Sequence, residues 1–418
     1  MTNAAEELRD WMLVQDAAGL ARVLDQVRTA EAIGLDVEGN GLFAYRARVC
    51  TVQLAWEDGD RTKIAVIDAL RVDITALADL FAAPAPRKVL HDLTFDARML
   101  HDHGVELRHA RDTSVAARLL GAKSTGLAAV LEAELGIVLD KRHQQYDWSR
   151  RPLEPTHLAY LSNDVAYLLQ LERTLMRKIS AKDIGAEVEA ESAYKLQTAL
   201  APPRDQRPGY TRVKGVHRLD PAGRAVMKFL VEAREELAEA INVPPFKVIS
   251  NEILLEFARK KPRSVEELGR TRGALSGRAG RYSNKWLAAI AAGREAGDVP
   301  PSDRVYFVQP YFDREAIAKR RGIELKLNAF RRAEAVRRGV DEQVVLPGHC
   351  VHDLAALLQN VTPQDPHIVS KIAAIAGMGA KRAERYALDL VALLESPADP
   401  STVASFNQDN PDDEAALD

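Results

Sequence analysis

Between residues 31 and 180 the spacing of apolar side chains alternates between strand and helix periods. EAIGLDVEG, RVCTVQLAW and RTKIAVIDA are strand-type apolar runs set close together, which predicts a meander of neighbouring strands. ITALADLFAA then spaces its apolar residues as a helix does, RKVLHD returns to strand, and TFDARMLHDHG is helical again. TSVAARLLG and TGLAAVLEAELG read as helices, each closed by a glycine just past its last turn. The order βββαβα with more helices behind it predicts a mixed sheet flanked by helices. One further stretch, HLAYLSNDVAYLLQL (157–171), reads as a single amphipathic helix with Tyr160, Asp164 and Tyr167 on one face.

Helical spacing dominates from about residue 217 to 395, after the Pro-, Gly- and Arg-rich stretch ALAPPRDQRPGYTRVKGVH (199–217). GDVPPSDRVYFVQPYFD (297–313) divides that region in two. The halves resemble each other: FKVISNEILLEFARKKP (246–262) aligns with QVVLPGHCVHDLAALLQ (343–359), and a later glycine, Gly273 or Gly377, ends a short turn in each. Two copies of one small helical module are the economical reading.

Composition narrows the class. At 418 residues the chain is long enough for two to four domains, and 46% hydrophobic with 28% charged residues suits a soluble protein. No apolar run reaches the length of a membrane span, and MTNAAEELRDWM lacks a basic-then-apolar leader, so a cytoplasmic location without membrane contact is expected. Cys50 and Cys350 stand far apart, which indicates neither a disulfide framework nor a cysteine metal site. The net charge of −3 conceals a local basic excess, since residues 201–300 hold 19 Lys and Arg against 12 Asp and Glu. Residues 396–418 carry six acids and no base, the composition of a disordered end.

Candidate chemistry begins at GLDVEG (34–39). Side chains at i and i+2 leave a strand on the same side, so Asp36 and Glu38 converge. Converging carboxylates resist burial unless they are protonated or neutralised by a cation. Two further acids lie where a sheet-and-helix fold brings residues together. Asp96, in VLHDLTFDARML, falls in the first turns of a helix after a strand, and Asp164 follows Tyr160 by one helical turn. An isolated acid on a Leu-rich helix is ordinarily just solvated. Four acids in this order are more specific.

Asp36, Glu38, Asp96 and Asp164, with Tyr160 in Y-x-x-x-D, resemble the four-carboxylate pattern of the DEDD 3′→5′ exonucleases in the branch that uses tyrosine. VCTVQLA, KVLHDLTFD and QYDWSRRPLEPTHLAYLSNDVAYLL extend the likeness to the ribonuclease D family over about residues 31–175. LVEAREELAEAINVPP, ISNEILLEFARKKP and VEELGRTRG resemble the HRDC helical domain, and residues 313–395 resemble a more divergent copy ending in AERYALDLVALL. The resemblance implies a ribonuclease H-like α/β exonuclease domain at 1–200, linkers at 201–216 and 298–312, HRDC-type domains at 217–297 and 313–395, and the acidic tail at 396–418. It implies two divalent ions, Mg²⁺ or Mn²⁺, about 4 Å apart, with Asp36 bridging both, Glu38 and Asp164 completing one site, Asp96 holding the other, and Tyr160 orienting the attacking water. The implied partner is RNA with a free 3′ end, tRNA precursors among them; no obligate protein partner is evident. GNGLFAYRAR after the first motif departs from the family, so no substrate contact carries over there.

Two other functions compete: a DNA 3′→5′ exonuclease, and a non-catalytic nucleic-acid-binding protein. No P-loop or other helicase motif is present, and the full set of acids with Tyr160 speaks for catalysis. For RNA contacts the candidates are Arg150 and Arg151 in KRHQQYDWSRR, and Arg278, Arg281 and Lys285 in RTRGALSGRAGRYSNK (270–285), a stretch with five bases and no acid beside Tyr282 and Trp286. The plain alternative is a solvated face with Trp286 in the core. His91, Asp68 and Tyr167 are expected to be structural: a satisfied strand-end histidine, a cap and a packed ring. Asp140 and Asp147 are expected beside the cleft.

Overall fold

The three apolar runs pair as their spacing predicts, at the centre of a larger sheet. A computed structural model describes residues 9–140, 145–202, 205–308, 313–361 and 365–395. The N-terminal residues 1–8, positions 141–144 of the KRHQQYDWSRR run, parts of both expected linkers (203–204 and 309–312) and the acidic stretch 396–418 lie outside them. Six strands, β1 (Arg9–Val14), β2 (Ala32–Gly39), β3 (Val49–Asp58), β4 (Arg61–Asp68), β5 (Arg87–Leu90) and β6 (Ala110–Asp112), form one sheet in the order β1-β4-β3-β2-β5-β6. The central meander β2-β3-β4 is antiparallel, while β1 lies parallel to β4, β5 to β2, and β6 to β5. The mixed sheet is therefore as expected, but its two edge strands are additions. β6 has only three residues, too few to show a period.

Helices cover both faces of the sheet. The helices α1 (Ala17–Val27), α2 (Ala78–Ala82) and α3 (Thr94–Asp102) share a core with Leu35 and Val37 of β2, built from Val23, Val27, Phe81, Ala97 and Leu100. On the other face α4 (Thr113–Leu119), α5 (Leu127–Leu135), α6 (Pro155–Ala166) and α7 (Leu168–Lys182) pack with Ala55, Ile64 and Val89. α8 (Gly185–Leu200) closes the domain. β3 is buried along its first eight residues, as a strand covered on both sides must be. The helix read over 157–171 is two helices. Tyr167, with φ −109° and ψ −1°, caps α6 and precedes α7, so it leaves the face shared by Tyr160 and Asp164 and is buried in the core. A period of 3.6 counts side chains and does not register a break that keeps both halves apolar on the same side.

The helical region has two units, each opening on one long helix and closing on another. In the first, the long α9 (Pro221–Ala240) precedes α10 (Asn251–Lys260), short helices α11 (Val265–Gly269) and α12 (Gly277–Arg281), and α13 (Ser283–Ala296). After α14 (Pro301–Arg304), the second has α15 (Arg314–Arg338), the short α16 (Glu342–Val345), α17 (Val351–Leu358), α18 (Ile368–Ala373) and α19 (Ala380–Glu395). The aligned pairs Val248–Ile249 and Val345–Leu346 are buried, and Gly273 and Gly377 both take positive φ, at 82° and 86°. Part of the stretch expected as a linker joins the first core, because Tyr210, Val213 and Val216 are buried there. Phe307 also packs back on that unit, 6.1 Å from the Tyr210 ring and 4.6 Å from the Arg224 guanidinium. Among the described residues no helix is long and apolar enough to cross a membrane.

Arg151 clamps the segment before α6 to the sheet. Its guanidinium donates to both Asp68 oxygens at 2.8 and 2.7 Å, to the carbonyl of Cys50 at 3.0 Å and to that of Trp148 at 2.8 Å. It is thus a structural cation with its donors spent, and the expectation of a phosphate contact at Arg151 is corrected. Burial pushes the Asp68 carboxyl up, but the hydrogen bonds and charge of Arg151 outweigh it and hold the group below its ordinary value of 3.8. The pair therefore stabilises the fold above that range, and the contribution is lost as pH falls through the depressed value. Arg151→Met strands a buried carboxylate, so urea unfolding at pH 7 is expected to show a loss of about 3–5 kcal/mol. Near pH 4.5 the deficit should shrink, as the unpaired Asp68 takes up a proton. A deficit independent of pH would show that Asp68 is not the group affected.

Candidate active site

The alternation of β2 sets the site. Leu35 and Val37 enter the core, whereas Asp36 and Glu38 leave the opposite face, half-buried and opposite Gln53 and Thr51 of β3. The pairing shifts register between Glu38 and Gly39, so the strand ends in a bulge just after the second acid. Two residues before Asp36, on the same face, Gly34 lets α6 approach: a Cβ there would stand 3.2 Å from the Val165 carbonyl oxygen and 3.4 Å from Leu168 Cβ. That close approach carries Asp164, the neighbour of Val165, to the acids of the strand. One carboxylate oxygen from each of Asp36, Glu38 and Asp164 lies within 4.8 Å of the others.

Asp96 reaches the cleft from the first turn of α3, as the sequence predicts, and is 5% exposed. It stands outside the tightest group but is felt by it electrostatically. Its helix is anchored from behind by the fully buried Asp112, which accepts from the backbone N–H groups of Asp92, Leu93 and Ser114 at 3.0, 3.1 and 2.8 Å. Lys195 of α8 donates to Asp112 and Asp92, both at 2.7 Å, and Asp92 adopts a φ of 65° to make the turn. Nothing in the local sequence marks Lys195, which lies 83 residues from Asp112. Gly34 did leave a signal: a glycine inside a strand marks close backbone approach.

Burial and mutual repulsion act together on the acids. Asp36 is pushed up to about 6, chiefly by burial, with the Val37 backbone N–H opposing. Glu38 reaches about 8 through burial and then the charge of Asp36, with the Trp148 N–H opposing. Asp96 and Asp164 are raised well above the carboxylate range, by burial first and by Asp36 and Glu38 next. Tyr160, its ring stacked on Trp148 at 5.6 Å, is also raised, by burial and then by Asp164, so its hydroxyl keeps its proton at neutral pH. The charge of Asp140 also acts on Tyr160, whereas Asp147 accepts from the Ser149 backbone and hydroxyl. His91 is satisfied by Thr113 Oγ1 and the Thr125 carbonyl, at 2.8 and 2.7 Å, as a structural histidine should be.

Comparison with known proteins agrees with this geometry. Residues 12–180 match the family described as 3′-5′ exonuclease, and residues 224–290 match the HRDC domain. Ribonuclease D of Desulfotalea psychrophila is 30% identical over 283 residues, covering 67% of this chain and 74% of that one. That of Granulibacter bethesdensis is 31% identical over 301 residues, covering 70% and 73%. The chain belongs to the ribonuclease D family. It is accordingly a 3′→5′ exoribonuclease with an HRDC domain. The crystal structure of Escherichia coli RNase D shares the fold, with a TM-score of 0.66 at 23% identity over 92% of this chain and 99% of that one.

The basic residues proposed for RNA fare unevenly within this family fold. Arg150 is 70% exposed, with Asp147 at 3.6 Å. Arg278 and Arg281 are exposed on α12. Lys285 instead pairs with Glu236 at 3.0 Å, and Trp286 is fully buried with its N–H on the Ala279 carbonyl at 2.8 Å. Trp286 thus belongs to the core and is not a stacking platform, and Tyr282 is half-buried against the same core.

Raised carboxyl values carry a signed consequence. Asp36 and Glu38, at ordinary values of 3.8 and 4.5 when unfolded, stabilise the metal-free fold below those values. The contribution is lost as pH rises through about 6 and about 8. In EDTA the thermal midpoint should fall between pH 5 and pH 8.5, on the order of 5–10 °C. Mg²⁺ should flatten that slope. Parallel curves with and without Mg²⁺ would show that the acids do not share a cation site.

Proposed function

We propose that this exoribonuclease removes nucleoside 5′-monophosphates from RNA 3′ ends with two divalent ions held by Asp36, Glu38, Asp96 and Asp164, acting on tRNA precursors and other small structured RNAs. The observation that carries this reading is the convergence of three carboxylates within 4.8 Å, beside a fourth and a protonated tyrosine. The donor set contains only carboxylate oxygens, which fits hard Mg²⁺ or Mn²⁺. Bound there, the ions supply an activated water and neutralise charge on the phosphate and the departing 3′ oxygen. Asp36 would touch both ions, Glu38 and Asp164 one, and Asp96 the other. Tyr160 would hold the attacking water in line through its hydroxyl. Leu42 and Phe95, 51% and 52% exposed beside the motif residues, offer apolar faces for terminal bases. The buried pairs Val248–Ile249 and Val345–Leu346 and the positive φ of Gly273 and Gly377 support reading 313–395 as a second, divergent HRDC-type domain, and the exposed Arg278 and Arg281 suit phosphate contacts that tolerate any sequence.

The discriminating experiment incubates the protein with 3′- and 5′-labelled RNA and DNA of one sequence, and with a tRNA bearing extra 3′ nucleotides, with and without Mg²⁺. Release of 5′-monophosphates from the 3′ end of RNA only in Mg²⁺ is expected. Preference for the DNA strand would replace the RNA reading, and binding without hydrolysis would assign a non-catalytic role.

Two variants separate the residues. Asp36→Asn should lose at least ~10²-fold in turnover while staying folded, since it removes a shared ligand and relieves repulsion. Tyr160→Phe keeps every carboxylate and the ring. Its metal titration should match the wild type while the single-turnover rate at saturating Mg²⁺ falls by about one to two decades. A folded Asp36→Asn with normal turnover refutes the metal assignment. An undiminished rate in Tyr160→Phe makes Tyr160 a packing residue.

A further inference from the structure

The loop that follows Glu38 belongs to two units at once. At its root it is part of the cleft. Asn40, 7% exposed, closes residues 40–48 on themselves: its side-chain oxygen accepts from the Arg48 N–H at 2.8 Å, and its own N–H donates to the Arg48 carbonyl at 3.3 Å. Its carbonyl accepts from the N–H groups of Phe43 and Ala44, at 2.8 and 3.0 Å. Gly39 is packed so closely that a Cβ there would stand 2.8 Å from Met99 Cε and 3.5 Å from Phe95 Cζ, atoms of the helix that carries Asp96. The tip is held elsewhere, by the first helical unit. Arg46 meets Glu239 at 2.6 Å, the Tyr45 N–H donates to Asn242 Oδ1 at 3.3 Å, Tyr45 packs against that unit's core, and the Lys247 ammonium lies 4.2 Å from the Phe43 ring centre. Asn242 stands just past α9 at a φ of 49°, a conformation that asparagine and glycine adopt most readily. Two rigid elements thus fix one irregular loop from opposite ends, with Leu42 exposed between them.

We propose that Glu239 and Asn242 of the first helical unit are positioning residues of the exonuclease reaction: by holding the tip of loop 40–48 they preset Leu42 and the mouth of the cleft for the terminal nucleotide. The inference rests on the placement of the reaction at Asp36 and Glu38 argued above. A loop ordered in advance loses less conformational freedom when substrate binds, and it keeps the reacting bond aligned during turnover. The helical unit therefore acts on the rate as well as on RNA affinity. A unit that served only as a basic RNA surface would act through affinity, and its effect would follow the sign of its charge.

A charge exchange separates the two accounts. Arg46 and Glu239 have side chains 81% and 53% exposed, so substitution there disturbs no core. Arg46→Glu makes that surface more negative, and Glu239→Arg makes it more positive. In the full-length protein, kcat and KM are measured on a short single-stranded RNA in Mg²⁺. Each single variant should lower kcat about two- to fivefold, the worth of one exposed pair, and Arg46→Glu with Glu239→Arg together should restore it. Asn242→Gly keeps the positive φ and loses the acceptor, so it should slow turnover by a similar factor. Asn242→Asp keeps an acceptor oxygen and should turn over as the wild type does. If Glu239→Arg lowers KM and Arg46→Glu raises it, with kcat unchanged in both, the effect follows charge and the proposal is overturned. A double variant as slow as the single ones, or single variants indistinguishable from the wild type, also overturns it. So does a loss of kcat that only tracks a loss of folded protein in thermal unfolding. Asp36→Asn is run alongside. Its normal turnover would refute the placement of the reaction and this proposal with it, whereas its failure beside wild-type loop variants overturns this proposal alone.

Discussion

Three carboxylates held within 4.8 Å in a half-buried cleft repel one another, and the catalytic domain is organised around resisting that repulsion. At an effective dielectric of about 20, two unit charges at such a distance oppose each other by roughly 3 kcal/mol. That is more than the net worth of two ordinary hydrogen bonds. A flexible site would swing the acids apart into water. Here Asp36 and Glu38 are carried by a central strand and Asp164 by the last turn of α6, while the fourth acid, Asp96, comes from the first turn of α3. The remaining escape is protonation, and the raised values of Asp36 and Glu38 record it. Divalent cations remove the reason for it.

The devices that hold the acids in place are themselves polar and buried, but unlike the acids they are fully compensated. Asp112 spends its lone pairs on three backbone N–H groups and the Lys195 ammonium, so the turn before α3 is tied to α8. Asp68 and Arg151 meet through two hydrogen bonds and fix the segment that leads into α6. Gly34 contributes by absence, since only a missing Cβ lets the α6 backbone come so near the strand. The contrast is informative: Asp112 and Asp68 are each neutralised by a cation, whereas the cleft concentrates one sign.

The helical units touch this machinery and are more than appendages on a tether. The loop that continues from Glu38 is folded on itself by Asn40, whose side chain accepts from the Arg48 backbone at 2.8 Å. Its tip docks on the first unit, where Arg46 meets Glu239 at 2.6 Å and the Lys247 ammonium lies 4.2 Å from the Phe43 ring centre. The second unit rests on α7 and α8. Lys381 pairs with Asp183 at 2.9 Å, and His349 stacks on Tyr194 at 3.7 Å. GNGLFAYRAR, the stretch after the first two acids, thus meets the first helical unit.

Alternation along GLDVEG was enough to place Asp36 and Glu38 on one face, and the order of Asp96, Tyr160 and Asp164 along their elements was enough to name the family. The helical spacing beyond residue 217 was legible too, and Gly273 and Gly377 both adopt positive φ. These features belong to single elements, and periodicity reports which side of an element faces the core. What the chain could not disclose by itself were the meetings between elements far apart in sequence. Arg150 and Arg151 are adjacent and identical in type, yet one is exposed and the other is half-buried and bonded to Asp68, 83 residues away. Trp286 in a basic stretch became core, Tyr167 marked a break between helices, and Lys195 and Trp148 gained their places beside the acids only through packing. A side chain's charge and shape are local properties. Its partner is chosen by how the layers close over one another, and only the tertiary structure decides that.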